Sequence, residues 1–267
     1  MLCPNSVRVP IVSQTLINQI PRHAVFISAF AGRCGVLQRI RKCRHAIAID
    51  ADPVPLKWWA AADAARSGYL ELINTDAVSW SRHHFGLDRL SPDPSAMPAV
   101  PPKQSAKYSG TMATDPAAVD GGSFVFADPP YPANVRSGAC RRIYRHEQLT
   151  DDAHERILNT FCELPCPAMI CGIKCDLYDQ LLSEWRTIEY QVVYRSGKQT
   201  TETAWMNYDP PEELHDYQYL GANRREREVL TKRRRNLMRR LKDMGPHERR
   251  SLLLDLEAAS PDSAILQ

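Results

Sequence analysis

The stretch AVFISAFAGRCG, residues 24–35, begins with a short β-forming run and ends in a turn that contains two glycines. A short apolar run of this kind is typical of a strand buried in a sheet. VLQRIRK at 36–42 then has the pattern of a helix, and AIAID at 46–50 is a second candidate for a buried strand. A strand, a turn, a helix and another strand in this order predict the first unit of an α/β fold.

Strand-like and helix-like segments alternate along the rest of the chain. Helices are predicted at 11–20, 53–67, 151–163 and 177–185, and strands at 70–77, 122–130 and 167–173. Two further runs, 188–195 and 201–208, flank SGKQT and predict an antiparallel pair. We therefore expect a mostly parallel sheet that is closed by an antiparallel hairpin.

Composition divides the chain into three regions. Residues 1–211 are predicted to form the main domain, and residues 85–121 interrupt it as a long loop that is rich in Pro, Ala, Ser and Gly. Residues 212–267 are predicted to form a basic helical extension, because residues 222–242 hold ten basic and two acidic residues around a stripe of apolar positions. Such a helix suits contact with phosphate groups, although a solvated helix that packs on the main domain is the alternative.

Overall composition limits the class of protein. The 267 residues are 43% hydrophobic and 24% charged, with a net charge of +3 that does not by itself indicate a nucleic-acid-binding protein. No run approaches the roughly 18 apolar residues that a membrane-spanning helix needs. Polar residues and proline interrupt the N-terminal stretch, which makes it a poor signal peptide. We expect no membrane association and a cytoplasmic protein.

Four cysteines lie close together, at positions 162, 166, 171 and 175. Three, four and three residues separate them, whereas structural zinc sites pair their cysteines in CxxC knuckles. The first lies in a predicted helix and the third in a predicted strand, which would scatter the thiols. We therefore expect buried thiols and no metal site.

Glycine or aspartate stands at the end of four predicted strands. In an open parallel sheet, ligands bind at the carboxyl ends of the strands. Gly32 allows the backbone to approach a ligand closely, and Asp50 is placed to accept hydrogen bonds from the ribose hydroxyls of a nucleoside cofactor. Asp52 is suited to cap the following helix. Asp76 suits either the adenine of such a cofactor or a loop cap.

The fourth of these strands ends in DPPY, at positions 128–131. An exocyclic amino group on adenine is a poor nucleophile because its lone pair is delocalised into the ring. Hydrogen bonds to the carboxylate of Asp128 and the carbonyl of Pro129 would favour a more nucleophilic nitrogen. Two prolines fix the backbone, and Tyr131 offers a flat face on which an extruded base can stack.

A glycine turn, an acidic second strand and DPPY in this order resemble the adenine-specific DNA methyltransferases that use S-adenosylmethionine. RSGACRRIYRHE at 136–147 and TETAWMNYDPP at 201–211 make the likeness closest to the Dam-like branch of phages and prophages. The resemblance implies the Rossmann-like methyltransferase fold, S-adenosylmethionine as cofactor, transfer to N6 of adenine in double-stranded DNA, and no metal. It assigns the cofactor to Phe30, Gly32, Gly35, Asp50, Asp76 and Asp128, the target base to Asp128, Pro129, Pro130 and Tyr131, and the nucleic acid to Tyr131, Arg136, Arg233, Arg234 and Arg235.

Two alternatives remain open from the sequence. The same tetrapeptide suits methylation of adenine in RNA. A relative that binds DNA without catalysis is the other alternative, because CPNSVRVP at 3–10 lacks the Gly–Lys segment of the family and Cys34 replaces the second glycine of the turn. The DNA target sequence and the existence of a restriction enzyme partner are left open.

Overall fold

The computed structural model describes residues 9–63, 68–89, 122–132, 150–193 and 199–259. The chain divides into two compact units, Met1–Tyr217 and Gln218–Gln267. The first unit holds the sheet, and the second holds two helices.

The sheet has seven strands in the order β3-β2-β1-β4-β5-β7-β6. Strands β1 to β5 pair in parallel, whereas β7 is antiparallel to both of its neighbours. The expected α/β fold, with a mostly parallel sheet and a closing antiparallel hairpin, is thus confirmed. The strands are β1 Val25–Ala29, β2 His45–Asp50, β3 Leu70–Asn74, β4 Ser123–Ala127, β5 Ala168–Gly172, β6 Arg186–Val193 and β7 Gln199–Met206.

The described residues form five helices in the first unit and two in the second. In the first unit they are α1 Val9–Ile17, α2 Pro53–Asp63, α3 Ala77–His84, α4 Asp151–Cys162 and α5 Asp176–Leu181. In the second unit they are α6 Arg224–Asp243 and α7 Pro246–Ala258. Helix α3 was not expected from the sequence, and a short 3₁₀ turn at Leu87–Arg89 follows it. No described helix is long and apolar enough to cross a membrane.

One predicted helix, at 36–42, is wrong. The chain between β1 and β2 forms consecutive turns, in which Gln38 N donates to Cys34 O and Arg39 N to Val36 O. These bonds mix the three- and four-residue spacings, so no regular α-helix forms. Val36 and Leu37 are both buried, and burying two adjacent side chains overrides the helical pattern.

The central strands are buried on both faces, as expected for parallel strands that are covered by helices. Every residue from Phe124 to Ala127 of β4 is buried. On one face the strands pack against Ile157, Leu158 and Phe161 of α4. A rigid, fully covered sheet holds the ends of its strands at fixed positions, where the candidate site lies.

The last residues of the first unit return to the chain before β1. His215 N donates to Ile20 O at 3.0 Å, and Arg41 N donates to the Asp216 carboxylate at 2.9 Å. The His215 ring stacks on the His23 ring with 3.8 Å between centroids. We call residues 213–217 the return segment. The sequence analysis assigned it to the C-terminal extension, whereas its hydrogen bonds join it to the first unit.

Candidate active site

The carboxyl ends of the parallel strands form one edge of the sheet, which we call the carboxyl edge. Because β3, β2, β1 and β4 are neighbours and run in parallel, the residues that follow them line this edge in the same order. The sheet thereby brings together the residues that the sequence analysis selected at four strand ends. They are Asp76 after β3, Asp50 at the end of β2, Phe30 and Gly32 after β1, and Asp128 after β4.

The turn after β1 has a strained backbone. Phe30 has φ = 57° and Gly32 has φ = 44°, so both lie in the left-handed region. For a residue with a side chain this region costs about 1–2 kcal/mol, and such strain is often found where a protein holds a ligand. Two hydrogen bonds hold the turn: Gly32 N donates to Asp50 Oδ2 at 2.7 Å, and Trp59 Nε1 donates to Gly32 O at 2.8 Å.

Asp50 joins this turn to the chain that follows β2. Its Oδ2 accepts from Gly32 N, and its Oδ1 accepts from Asp52 N at 2.9 Å. A carboxylate has about four acceptor positions, so two backbone bonds leave capacity for the two hydroxyls of a ribose. Asp52 accepts from Val54 N at the start of α2, which agrees with the capping role that the sequence analysis weighed for it.

Asp76 caps helix α3. Its Oδ2 accepts from Ser79 N at 2.8 Å, and its backbone is extended, as is usual for an N-cap residue. The capping role considered for Asp76 is therefore present in the structure, and its role beside the adenine of a cofactor stays a prediction. Gly35 lies farther along the turn after β1, and its carbonyl accepts from the Arg39 side chain at 3.1 Å.

Asp128 follows the last residue of β4 and is buried, with 4% of its surface exposed. Burial raises the pKa of this carboxyl above its ordinary value. Pro129 is also buried and Pro130 is half-buried, so the carboxyl and the rigid backbone beside it sit below the surface. A buried acceptor held by a rigid backbone is suited to bind a neutral amino group.

Tyr131 is buried, and its hydroxyl donates to Glu202 Oε1 at 2.6 Å. Glu202 lies in β7 and is also buried. Glu202 was not among the site residues predicted from the sequence, although it lies in TETAWMNYDPP at 201–211, one of the stretches that carry the resemblance. The ring that was expected to support a base is thus held at its far end by a carboxylate.

The cysteines are packing groups in the part of the chain that the structure describes. Burial raises the pKa of Cys162 to about 11 and that of Cys166 to about 12, which keeps both as thiols at neutral pH. Cys34 is buried too, and its Sγ accepts from Leu37 N at 3.3 Å. Among the described residues, no three His, Cys, Asp or Glu side chains are grouped closely enough to hold a metal ion.

Some of the predicted residues lie away from the carboxyl edge or outside the described ranges. Arg233, Arg234 and Arg235 are exposed on α6 in the second unit. Arg136, the segment at 3–8 and most of the loop at 85–121 lie outside the described residues, so their predicted roles stay predictions.

Comparison with known proteins gives structural matches alone. No family model matches the chain, and no curated protein matches it. Similar solved structures include an S-adenosylmethionine-dependent methyltransferase from Agrobacterium tumefaciens (TM-score 0.43, 12% identity, covering 74% of this chain and 60% of that one). Another is the 23S rRNA methyltransferase ErmE (TM-score 0.40, 10% identity, covering 77% of this chain and 70% of that one). A third is a dimethyladenosine transferase from Plasmodium falciparum (TM-score 0.41, 9% identity, covering 76% of this chain and 62% of that one).

The chain spans less than two thirds of the length of the Agrobacterium and Plasmodium proteins. At these identities and TM-scores, the assignment of the fold rests on the strand order of the chain itself.

Proposed function

We propose that the protein is an S-adenosylmethionine-dependent methyltransferase that modifies the N6 amino group of adenine in a nucleic acid. One observation carries the proposal: a buried aspartate followed by two prolines and a tyrosine stands at the end of β4, next to the strand whose glycine turn is bonded to Asp50. The first group suits a neutral amino group, and the second suits a ribose. Because β1 and β4 are neighbours, a nucleoside cofactor and a target base held by these two groups would lie on the same edge of the sheet.

The cofactor side of the site consists of the turn after β1 and the end of β2. Asp50 has acceptor capacity for both ribose hydroxyls, and Gly32 lets the backbone approach the ligand without a side chain in the way. Phe30, held in a left-handed conformation, lies at the start of the same turn. When bound, S-adenosylmethionine would supply an electrophilic methyl group.

The base side consists of Asp128, Pro129 and Tyr131. The Asp128 carboxylate and the Pro129 carbonyl would accept the two hydrogens of the adenine amino group, which makes its nitrogen more nucleophilic. The nitrogen loses one of these protons when it is methylated, and the hydrogen-bonded Asp128 carboxylate, whose pKa is raised by burial, is the group placed to accept it. Because the prolines and the buried strand end hold the acceptors in place, the contribution of the protein is mainly positioning and polarisation.

The substrate is either DNA or RNA. Membership of the Dam-like branch, and with it double-stranded DNA as the substrate, is predicted from the order of the motifs. The described residues give DNA no advantage over RNA, because the groups at the end of β4 would contact the base and not the sugar. In either case the base must leave its stack before the buried Asp128 can reach it.

Helix α6 is proposed to bind the phosphate backbone. Of its 20 residues, ten are Arg or Lys, and all of these are exposed except Arg227. Contacts of this kind add affinity and depend strongly on salt, but they do not select a sequence.

The test is methyl transfer from labelled S-adenosylmethionine to duplex DNA and to RNA, with Asp128→Ala as the variant. The matched control is Glu155→Ala, which removes an exposed carboxylate on α4. Label in DNA alone, lost in Asp128→Ala and kept in the control, supports the DNA enzyme, whereas label in RNA alone supports the RNA enzyme. No label in either, with no cofactor binding by calorimetry, would contradict the proposal and favour a relative that binds DNA without catalysis.

A further inference from the structure

The hydrogen bond between Tyr131 and Glu202 joins two parts of the site that lie 71 positions apart in the chain. Its length of 2.6 Å is in the range of hydroxyl–carboxylate bonds, which are shorter and stronger than bonds between neutral groups. Both side chains are buried, so water does not compete for this bond as it would at the surface.

Strand pairing places Glu202 at the carboxyl edge. β7 runs antiparallel to β5, and Thr203 pairs with Gly172, the last residue of β5. Glu202 therefore lies just beyond the end of β5, and the register of β4 against β5 puts it about level with Pro130. On its other side it pairs with Tyr190 of β6. Its position is fixed by its own pairing with β6 and by the pairing of its neighbour Thr203 with β5.

The backbone around Tyr131 is restricted, so the conformational freedom of this residue lies mainly in its side chain. Pro129, Pro130 and Pro132 each fix one backbone angle, which limits the motion of the chain on both sides of the tyrosine. A phenol ring on a fixed backbone can still rotate about its two side-chain bonds. Anchoring the hydroxyl oxygen restricts rotation about the Cα–Cβ bond. Because a phenol O–H prefers to lie in the plane of its ring, an acceptor held in one direction also favours one orientation about the Cβ–Cγ bond.

We propose that Glu202 is a positioning residue, which sets the plane of the Tyr131 ring by accepting the hydrogen bond of its hydroxyl. The inference rests on the proposed function, because the orientation of the ring matters where an extruded base stacks on it. The tyrosine hydroxyl is the donor of this bond, and the glutamate oxygen is its acceptor. A glutamine at the same place presents an amide that can turn its donor toward the hydroxyl, and it fixes the ring less well.

The surroundings of Tyr131 keep its hydroxyl protonated, so that it stays the donor of this hydrogen bond. Burial, and then the carboxylates of Asp128 and Glu202, raise the pKa of Tyr131 well above its ordinary value. The tyrosine therefore keeps its proton and remains a donor across the pH range in which a protein works.

The test compares Tyr131→Phe, Glu202→Gln and the double variant in the full-length chain, with Glu189→Gln as the control. Tyr131→Phe keeps the aromatic face and removes the hydroxyl, while Glu202→Gln keeps the shape and removes the charge. Glu189 is an exposed glutamate of the same hairpin, on β6. Thermal unfolding and calorimetry with S-adenosylmethionine show whether each variant still folds and binds the cofactor.

We expect Tyr131→Phe and Glu202→Gln each to lower kcat/KM for the nucleic acid by about tenfold, because the first removes the hydrogen bond and the second replaces its acceptor with an amide that can turn its donor toward the hydroxyl. The double variant should lose no more than either single variant, since both act on one bond. Cofactor affinity should stay within about twofold, because neither side chain belongs to the turn bonded to Asp50. Losses that multiply in the double variant would overturn the proposal.

A second measurement separates this proposal from the proposed function. In protein with carbon-13-labelled tyrosine rings, Glu202→Gln should speed the rotation of the Tyr131 ring in the NMR spectrum, with Tyr131→Phe identifying its signals. Glu189→Gln should leave the rotation unchanged. If wild-type protein methylates neither DNA nor RNA, the proposed function fails, while the ring measurement still tests the anchor. A ring that rotates equally fast in wild type and Glu202→Gln would overturn the role of Glu202.

Discussion

Asp50 is the residue on which both the local structure and the proposed cofactor site depend. Its two oxygens accept from Gly32 N and Asp52 N, so the carboxylate holds the glycine turn in place. In Asp50→Asn one of these oxygens becomes an amide donor that faces a backbone N–H. We expect the affinity for S-adenosylmethionine, measured by calorimetry, to fall at least about tenfold, because an acceptor for the ribose is lost as well.

Asp52→Asn is the control for this prediction. The Asp52 carboxylate accepts from Val54 N at the start of α2, so its loss should affect the helix more than the turn. The cofactor affinity should therefore stay near that of wild type. Equal losses of affinity in Asp50→Asn and Asp52→Asn would contradict a specific ribose contact.

The lowered pKa of the buried His23 predicts how the stability of the protein depends on pH. Its Nδ1 lies 2.8 Å from Pro21 O, and its ring stacks on that of His215. Burial, and then the neighbouring His215, lower the pKa of His23 from 6.5 to about 3. Burial also lowers the pKa of His215. Both rings are therefore neutral in the folded protein at neutral pH.

The sign of the effect follows from the two pKa values of His23. Above pH 6.5 neither the folded nor the unfolded state binds the proton, and stability is unaffected. As the pH falls from 6.5 to about 3, the unfolded state binds it first, so the free energy of unfolding decreases. The loss over this window is on the order of 4 kcal/mol.

The measurement is urea unfolding at a series of pH values. In His23→Asn, whose side-chain amide can still donate to Pro21 O, the free energy of unfolding should fall less steeply below pH 6.5. His83→Asn, at an exposed histidine on α3, should behave as wild type. The interpretation is wrong if His23→Asn and wild type lose stability equally over this window.

At the scale of elements, helix α6 sorts its basic residues onto different faces. Successive residues of an α-helix point about 100° apart. Leu230, Leu237 and Leu241 therefore share one face, and Arg234 lies beside them. The opposite face carries Lys232, Arg235, Arg239 and Lys242, which we call the cationic stripe. Of the three arginines predicted from the sequence to bind nucleic acid, Arg235 lies on this stripe.

The stripe predicts unequal effects of neighbouring arginines on binding to double-stranded DNA. Arg235→Gln and Arg239→Gln should each lower the affinity and reduce the slope of log K against log salt by about 0.9. Arg234→Gln is the matched control, because it removes the same charge from the apolar side and should change the slope less. Fluorescence anisotropy at several salt concentrations measures these slopes. Equal slopes in all three variants would mean that α6 does not bind along one face.

Sequence patterns were sufficient to predict those helices and strands whose buried residues follow the hydrophobic period of the element. The closing hairpin, the parallel strands and α4 could all be predicted, because each has one dominant period or an uninterrupted apolar run. The helix expected at 36–42 failed, because the tertiary structure buries Val36 and Leu37 side by side. Tertiary packing is not encoded in the local period, and it decided this segment.

In the candidate site, too, local sequence patterns could predict some residues and not others. Asp50 and Asp128 could be selected because a residue at the end of a parallel strand has a known place in the fold. Glu202 could not, since its contact with Tyr131 spans 71 positions and depends on the register of β7 against β5. A hydrogen bond between distant segments leaves no local pattern for the sequence to reveal.

At the scale of the whole molecule, the return segment decides where the first unit ends. Arg22 N donates to Glu213 O, and His215 N donates to Ile20 O. Arg41 exchanges two more bonds with the segment: its N donates to Asp216, and its carbonyl accepts from the His215 ring. These four bonds tie residues 213–217 to the chain before and after β1.

Two truncations test this boundary. A chain that ends at residue 217 keeps all four bonds, whereas one that ends at residue 211 loses them together with the buried His215 and Asp216. We expect the longer chain to unfold near the temperature of the full-length protein and the shorter one roughly 10 °C lower, because four bonds of about 1 kcal/mol each are lost. Thermal unfolding followed by circular dichroism gives both temperatures.

The chain that ends at residue 217 also tests which of the two units binds the cofactor and which binds the nucleic acid. It retains Asp50, the glycine turn and Asp128 but lacks the cationic stripe of α6. Its affinity for S-adenosylmethionine should therefore match that of the full-length chain, while its affinity for DNA or RNA falls and becomes less sensitive to salt. Nucleic-acid binding that is unchanged in strength and salt dependence would contradict the role of α6 and place the phosphate contacts in the first unit.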